Sequence, residues 1–569
     1  MAVRVPAWLR ALGVYAALTA LFTWPIVARL HSMDAGDSAF FAWEMAWERH
    51  ALLADPASLP HAPIFHPLRY TLGMDEPILG TTLLVVPFWP FTGDAVWLFG
   101  VARLLTFALS ALTAYLLARE LGARFGVALL AGAAFAFSPI RTDQIAHLST
   151  LGTQWLPLVV LFMVRFARTG ERRESFLAAL FYALTAYACG YHGLIALAVL
   201  PLATLVLFWG RSRLFLRAMP AVAAAFCALL PLYLLHKAAL DPLGYVRGAG
   251  ETKVYSAALE SFVATSSWNL LYGEVTAPFR TTQSNNLFPG LVLPLLAVVG
   301  AVACWRRRAW PSRETTALAV LGLSAALLAL GPEVRLLGET VMPGPFALAR
   351  ELPIFRMIRV PSRAGAFIAL ALAMLGARVL QGLRLRPLAL GGVAVVALAE
   401  TVIAPIPMPA WSRVIDSRRP PPAVYSWLAA QPGAPVVVEL PLQEISGIFE
   451  RPAHHESVYL VRQTHHWKPL ANGYAGIEPA PYVRLRDAAR SFPSDDALAA
   501  FAEKDVRYVV LHRAGYGPNK SARIERDLPR FGARLLEVAR FDDGDVVYEL
   551  RPGLTASGAP ATVSGKEPP

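Results

Sequence analysis

The sequence predicts a polytopic α-helical membrane protein with a small α/β domain at its C-terminal end. Three observations support this. Of 569 residues, 56 % are hydrophobic and only 16 % charged, where a soluble protein carries about 25 % charged residues. Mean hydropathy is +0.46, and uncharged runs such as Thr315–Leu330 recur too often for a soluble core. After Pro405, Pro407 and Pro409 the apolar runs stop, and short strand and helix patterns replace them.

A spanning helix needs about 20 residues. Eleven candidates follow from that length: 10–30, 94–118, 124–139, 151–168, 175–190, 192–210, 217–236, 288–305, 315–331, 363–382 and 386–405. The first carries Pro25 and Arg29 and no small-residue cleavage pattern, so an uncleaved helix is expected there. Residues 76–92 are also apolar, but Pro77, Pro87 and Pro90 interrupt them. If that stretch does not cross, the basic clusters at Arg4/Arg10, Arg119/Arg124, Arg165–Arg173, Arg211–Arg217, Arg306–Arg313 and Arg378–Arg386 all fall on one side. The positive-inside rule selects this reading, with the N-terminus cytoplasmic and the C-terminal domain outside. The formal net charge of +12 is then largely a topology signal, which removes the argument for a nucleic-acid partner. Cys189, Cys227 and Cys304 lie in or beside the spans and suggest neither a disulfide nor a metal pair.

Three outward loops, 31–75, 237–287 and 332–362, are too long to be simple connections. In the first, Gly36 permits a tight bend and Ser38 is placed to cap a helix. Phe40, Trp43 and Trp47 share one face of that helix, which suits a helix lying at the membrane surface. Asp37 then stands at the membrane–water boundary with two roles open. One is a cap or local salt bridge; the other is a general base or metal-binding carboxylate above an embedded substrate. Asp75 and Glu76 offer a second acidic site, with favourable placement at a helix start as the alternative.

The turn containing Arg141, Asp143 and His147 faces the same side, and His147 is a candidate for holding an acceptor or phosphate, with helix capping as the bland role. His192 occupies another outward turn. In the second loop Tyr245, Arg247, Glu251, Lys253 and Tyr255 form a polar group suited to gating a cavity, and Asn285 and Asn286 precede the next span. Arg356, Arg359 and Arg363 break the cytoplasmic bias of positive charge. Bidentate contacts to a phosphate or diphosphate would explain them; non-specific contact with anionic headgroups of membrane lipid is the alternative.

In the C-terminal region, 421–430 and 497–503 read as helices, and 436–440, 506–512 and 546–550 as strands. The pairs His454-His455 and His465-His466 lack zinc-ligand spacing, whereas Trp467, Asn472 and Tyr474 suit stacking on and hydrogen bonding to a sugar. The expected organisation is a membrane domain over 1–405, an extracytoplasmic α/β domain over 406–552, and a disordered tail over 553–569.

The layout over residues 10–405, Gly36-Asp37 just after the first span, and the stretch His147-Leu148-Ser149-Thr150-Leu151-Gly152-Thr153-Gln154-Trp155-Leu156-Pro157 resemble bacterial integral-membrane glycosyltransferases of the GT-C type. The segment from Gln463 to Tyr474 resembles a feature of the C-terminal domains of such proteins. The resemblance implies a GT-C-like fold in the bacterial inner (cytoplasmic) membrane and an inverting transfer of sugar from a polyprenyl-phosphate donor to a lipid or glycan acceptor. It makes Asp37 the base and Arg356, Arg359 or Arg363 the holder of the lipid phosphate, with Asp143 or Asp75-Glu76 standing in for a second acidic motif. No metal ligands are assigned; a divalent metal ion is the one cofactor the resemblance would admit. A secondary transporter is the main rival. It predicts internal repeats and mid-membrane charge, for which Arg103 and Glu400 are the chief candidates. A second rival is a non-catalytic partner in envelope-glycan assembly, with Asp37 structural.

Overall fold

The computed structural model describes residues 5–245, 248–281, 285–308, 310–403, 405–406, 414–443 and 454–551. The tail expected to be disordered, and Arg247, lie outside them.

Each apolar segment contains a helix: Ala7–Phe22, Ala95–Glu120, Phe125–Ala136, Leu156–Thr169, Arg172–Ala188, Gly190–Leu207, Ser212–Leu240, Val292–Arg306, Arg313–Ala329, Gly365–Leu383 and Pro387–Ala399. Among the described residues, six helical stretches are long and apolar enough to cross a membrane, and Ala7–Phe22, Val292–Arg306 and Pro387–Ala399 are apolar but shorter. Residues 76–92 hold only the helix Leu79–Thr82 and the 3-10 turn Val86–Phe88, far short of a crossing at 1.5 Å per residue.

Local chemistry fixes the helix ends. Asp94 accepts hydrogen bonds from the backbone of Val96 and Trp97, each 3.0 Å, and so caps Ala95–Glu120. Glu400, considered above as a mid-membrane charge, accepts from the N–H groups of Leu291 and Val292 at 3.1 Å and from the Tyr272 hydroxyl at 2.8 Å. It caps Val292–Arg306, where a carboxylate meets the positive end of the helix dipole.

Strand β1 (Ser32–Asp34) precedes the helix Asp37–Ala54. The hairpin β2 (Glu333–Leu336) and β3 (Glu339–Pro343) belongs to the long loop 332–362. Strand β4 (Val414–Asp416) returns to pair antiparallel with β1, joining the loop 31–75 to the start of the C-terminal region. That region is built on a four-stranded sheet of β5 (Val436–Leu440), β6 (Val506–His512), β7 (Leu535–Arg540) and β8 (Asp545–Leu550), in the order β5-β6-β8-β7. β5 and β6 are parallel; the other neighbours are antiparallel. Helices Ala423–Ala430 and Asp495–Ala502 stand where the pattern placed them, whereas β7 was not anticipated. It is an edge strand with mostly exposed side chains, so it lacks the apolar alternation that marks a half-buried strand.

Two sequence expectations change here. Ser38 is not the cap, because the helix starts one residue earlier, at Asp37, behind Gly36 with φ 92°. The helix is also not one lying with an open face at a surface: Ser38 to Glu48 are all buried. Its aromatic ridge meets the C-terminal region instead of lipid. The Trp43 indole donates to Gln463 Oε1 at 2.9 Å, and the rings of Phe40 and Tyr474 lie 5.4 Å apart. One apolar core runs from Phe40 and Trp43 through Phe65 and Leu72 to Val437, Leu460 and Tyr508.

Candidate functional site

The helix Asp37–Ala54 places its first residue between two distant parts of the chain. Gly36 donates its N–H to Ser457 Oγ at 2.7 Å, which pins the bend. The Asp37 carboxylate then receives the Tyr474 hydroxyl on Oδ1 at 2.6 Å and contacts His147 Nε2 through Oδ2 at 2.8 Å. His147 leads into the short helix Leu148–Leu151, and Tyr474 comes from the C-terminal region. Burial alone would raise the Asp37 carboxyl. The neighbouring His147, the hydrogen bonds from His147 and Tyr474, and the Arg363 charge outweigh it, holding the group well below the usual carboxylate range. Both side chains of the Asp37–His147 pair remain about one-third exposed, at 37 % and 33 %, so the pair opens to an incoming molecule.

A second cluster lies beside the first. Arg363 Nη1 pairs with Glu76 Oε1 at 2.6 Å, both largely buried. The other Glu76 oxygen accepts from the Tyr191 N–H at 3.1 Å and the Cys189 thiol at 3.3 Å. Arg359 ties three parts together: Nε contacts Glu251 at 2.8 Å, one Nη donates to the Tyr255 hydroxyl at 3.1 Å, and the other to the Gly476 carbonyl at 3.4 Å. The close approach of Asp75 to Gly476, where an added Cβ would lie 3.2 Å from Oδ2, brings the second acidic pair up to the Tyr474 segment.

Asp75, Glu76 and Arg356 also border a cavity of about 760 Å³. Its walls are apolar, from Leu194, Leu197, Phe226 and Leu230, and its polar rim includes His236 and Lys237. Arg356 donates to the Arg350 carbonyl at 3.0 Å. Of the three loop arginines, then, Arg359 and Arg363 are engaged by carboxylates and Arg356 sits at the groove.

The remaining sequence candidates are spread out. Lys253 pairs with Glu333 at 2.6 Å. Asp143 receives Asn286 Nδ2 at 3.0 Å; burial pushes its carboxyl up to about 7, against the pull of Asn286, Ser266, His147 and Arg280. His192 is fully buried in Gly190–Leu207 rather than in an open turn, and neither ring nitrogen has a hydrogen-bond partner among the described residues. Asn472, expected to face a sugar, is buried and bonded to the Glu439 backbone and Glu456, so it holds the fold. Among the described residues no group of three His, Cys, Asp or Glu could hold a metal ion. The donor set does not fit one, and no step below passes through a metal.

Sequence reasoning passed over Glu44 and Glu48. They lie one turn apart, buried at 1 % and 0 % exposure. Burial raises both carboxyls, Glu48 to about 8, and Glu44 is raised further by Glu48, Asp75 and Glu76. Their spacing from Asp37, seven and eleven residues, is the signal that could have found them, since it keeps all three near one helix face.

The chain has the fold of the GT-C glycosyltransferases. The archaeal oligosaccharyltransferase AglB from Archaeoglobus fulgidus, solved with an inhibitory peptide and a dolichol-phosphate, aligns over 96 % of this chain and 74 % of its own, with 13 % identity and a TM-score of 0.50. The Archaeoglobus fulgidus oligosaccharyltransferase tethered to an acceptor peptide aligns over 95 % of this chain and 74 % of its own, at 14 % identity and TM-score 0.50. By sequence the chain belongs to the family described as a domain of unknown function (DUF6311), which matches residues 65–402. No curated protein matches it.

Proposed function

We propose that this chain is an inverting glycosyltransferase of the bacterial inner membrane that moves a sugar from a polyprenyl-phosphate donor to an extracytoplasmic glycan or lipid acceptor. The one-sided distribution of its basic loops supports an N-terminus in the cytoplasm and a C-terminal domain outside. One observation carries the reading: an oriented, ionised and partly open carboxylate, Asp37, feels the charge of Arg363, whose ion-pair partner Glu76 borders an apolar groove with a charged rim. A groove of about 760 Å³ lies in the range of ligand sites, about 300–1,000 Å³. Its apolar walls suit a lipid tail, and at the rim Arg356, together with Lys237, which pairs with Asp241 at 3.1 Å, suits a phosphate. The solved AglB complex contains a dolichol-phosphate, a lipid phosphate of the same chemical class as the proposed donor.

In the reaction the bond between the anomeric carbon and the phosphate oxygen breaks, and its electron pair leaves with the phosphate. The acceptor oxygen bonds to the anomeric carbon from the opposite face, and its proton passes to Asp37. The sugar carries oxocarbenium character at the transition state, so the acceptor hydroxyl becomes acidic only late. A carboxylate that binds protons weakly therefore suffices, and His147 and Tyr474 serve to fix its direction. Arg356 and Lys237 stabilise the charge that grows on the leaving phosphate.

The test is transfer by purified protein in nanodiscs, supplied with a panel of polyprenyl-phosphate sugars. Asp37→Asn should lower the rate by about 100-fold or more, the scale of a lost general base. Undiminished transfer in that variant would remove Asp37 as the base. Binding of the lipids with no transfer from any donor would turn the reading to a non-catalytic partner in envelope-glycan assembly.

A further inference from the structure

A second, much smaller cavity shares Arg363 with the site. It measures about 20 Å³ and is bounded by Ile140, Arg141, Gln144, Thr150, Asn286, Leu287 and the 362–366 turn. About 10–15 Å³ of such space holds one water, so this cavity takes a single water-sized particle and excludes a phosphate or carboxylate group.

The charge around it is one-sided. Arg141 is 2 % exposed, and its guanidinium lies against Phe107 and Phe135 at 5.4 and 5.3 Å from the ring centroids. It donates to Leu151 O at 2.9 Å and Ser110 Oγ at 3.2 Å, and to Ala136 O, all of them neutral. No carboxylate among the described residues is in ion-pair reach of it, whereas the cavity's other arginine, Arg363, is neutralised by Glu76. A buried charge without a counter-charge costs several kcal/mol, of order 3–5 when a partner is missing, and buried ionisable groups in membrane proteins are normally paired.

Two further features favour an anion over water. Thr150 lines the cavity at 6 % exposure, and its hydroxyl, like Arg141 Nε, has no partner among the described residues. The 3-10 turn Pro361–Ala364 leads directly into the 19-residue helix Gly365–Leu383, and Ser362, Arg363, Gly365 and Ala366 at its start border the cavity. The positive end of that helix dipole therefore faces the space. No acidic side chain lines it.

We propose that this cavity binds one monatomic anion, chloride under ordinary conditions, as the counter-ion of Arg141. The ion balances the one arginine of this cavity that has no carboxylate partner among the described residues, and the assignment is independent of the transferase reading.

The test uses the full chain in nanodiscs, with chloride replaced by gluconate, too large for the cavity, at fixed ionic strength. Chloride should raise the unfolding temperature in a saturable way, because it binds only the folded state. Thr150→Val keeps the shape and removes one donor, and should weaken half-saturation by about tenfold, the worth of one hydrogen bond to an ion. Arg141→Gln should abolish the chloride response. Crystals grown in bromide should show one anomalous scatterer between Arg141 and Arg363. Equal unfolding temperatures in chloride and gluconate would overturn the proposal. So would a chloride response unchanged in Thr150→Val, or a cavity peak with no anomalous signal, which would be water. If Arg141→Gln fails to fold, the Thr150→Val comparison and the bromide peak decide the matter.

Discussion

Replacing Glu76 by Gln removes one charge from the pair that joins the two halves of the candidate site. Glu76 and Arg363 meet at 2.6 Å, each 14 % exposed, which limits screening by salt. Charge centres about 4 Å apart interact by about 4 kcal/mol at an effective dielectric constant near 20. Breaking a buried pair from one side costs about 3–5 kcal/mol, because the survivor stays charged and alone. Glu76→Gln should therefore destabilise the protein by about 3 kcal/mol or more, because its one carbonyl oxygen replaces only one of the two carboxylate oxygens and its NH2 is left facing either Arg363 or the Tyr191 N–H. Arg363→Met should cost a similar amount. The double variant should cost less than the two together by about 2–4 kcal/mol, measured as a double-mutant cycle of denaturant unfolding in nanodiscs. A coupling below about 0.5 kcal/mol would refute the assignment of this contact as a strong buried pair.

Tyr474→Phe removes the 2.6 Å hydrogen bond to Asp37; the carboxylate is 37 % exposed, so screening favours the low end of the range for a charged hydrogen bond, about 1.5 kcal/mol. Its carboxyl should rise toward the ordinary range and transfer should slow by about tenfold, read from a pH–rate profile against the wild type. Gly473→Ala places a Cβ 2.5 Å from the Phe65 ring, and should cost about 1–3 kcal/mol by overpacking, lowering the unfolding temperature. His512 bridges Glu439 and Asp545, each at 2.9 Å. Burial acts to lower it, but those two carboxylates raise it to about 9. A raised histidine gives its full stabilisation below the unfolded value near 6.5 and loses it as pH rises through the folded value. The unfolding temperature should thus fall between about pH 6.5 and pH 9, and His512→Gln should flatten that fall.

Much of the architecture was legible in the sequence because lipid imposes a simple rule: long uncharged runs must become helices. Proline placement likewise marked 76–92 as a stretch without a long helix. Asp37 and His147 could be picked out one at a time, from the glycine before one and the turn around the other. Their contact could not, since 110 residues separate them, nor could the contact of Asp37 with Tyr474, 437 residues away, because no periodicity spans such distances. The loop arginines show the same limit. Sequence places three positive charges outside, but only the folded contacts show that Arg359 holds Glu251 and Gly476, that Arg363 holds Glu76, and that Arg356 borders the groove. The surface helix was misjudged for a related reason: an aromatic ridge has the same pattern whether it meets lipid or protein.

The joining of β1 to β4, and of Asp37 to Tyr474, also sets a timetable. Synthesis runs at about 5–20 residues per second. The 437 residues between Asp37 and its phenol partner therefore take roughly 20–90 seconds to make. For most of that interval the first loop and His147 are already made, but the phenol that binds the other carboxylate oxygen is not. A half-made chain thus has the His147 contact but not the Tyr474 hydrogen bond, and a ribosome that stalls before Tyr474 leaves Asp37 held from one side only.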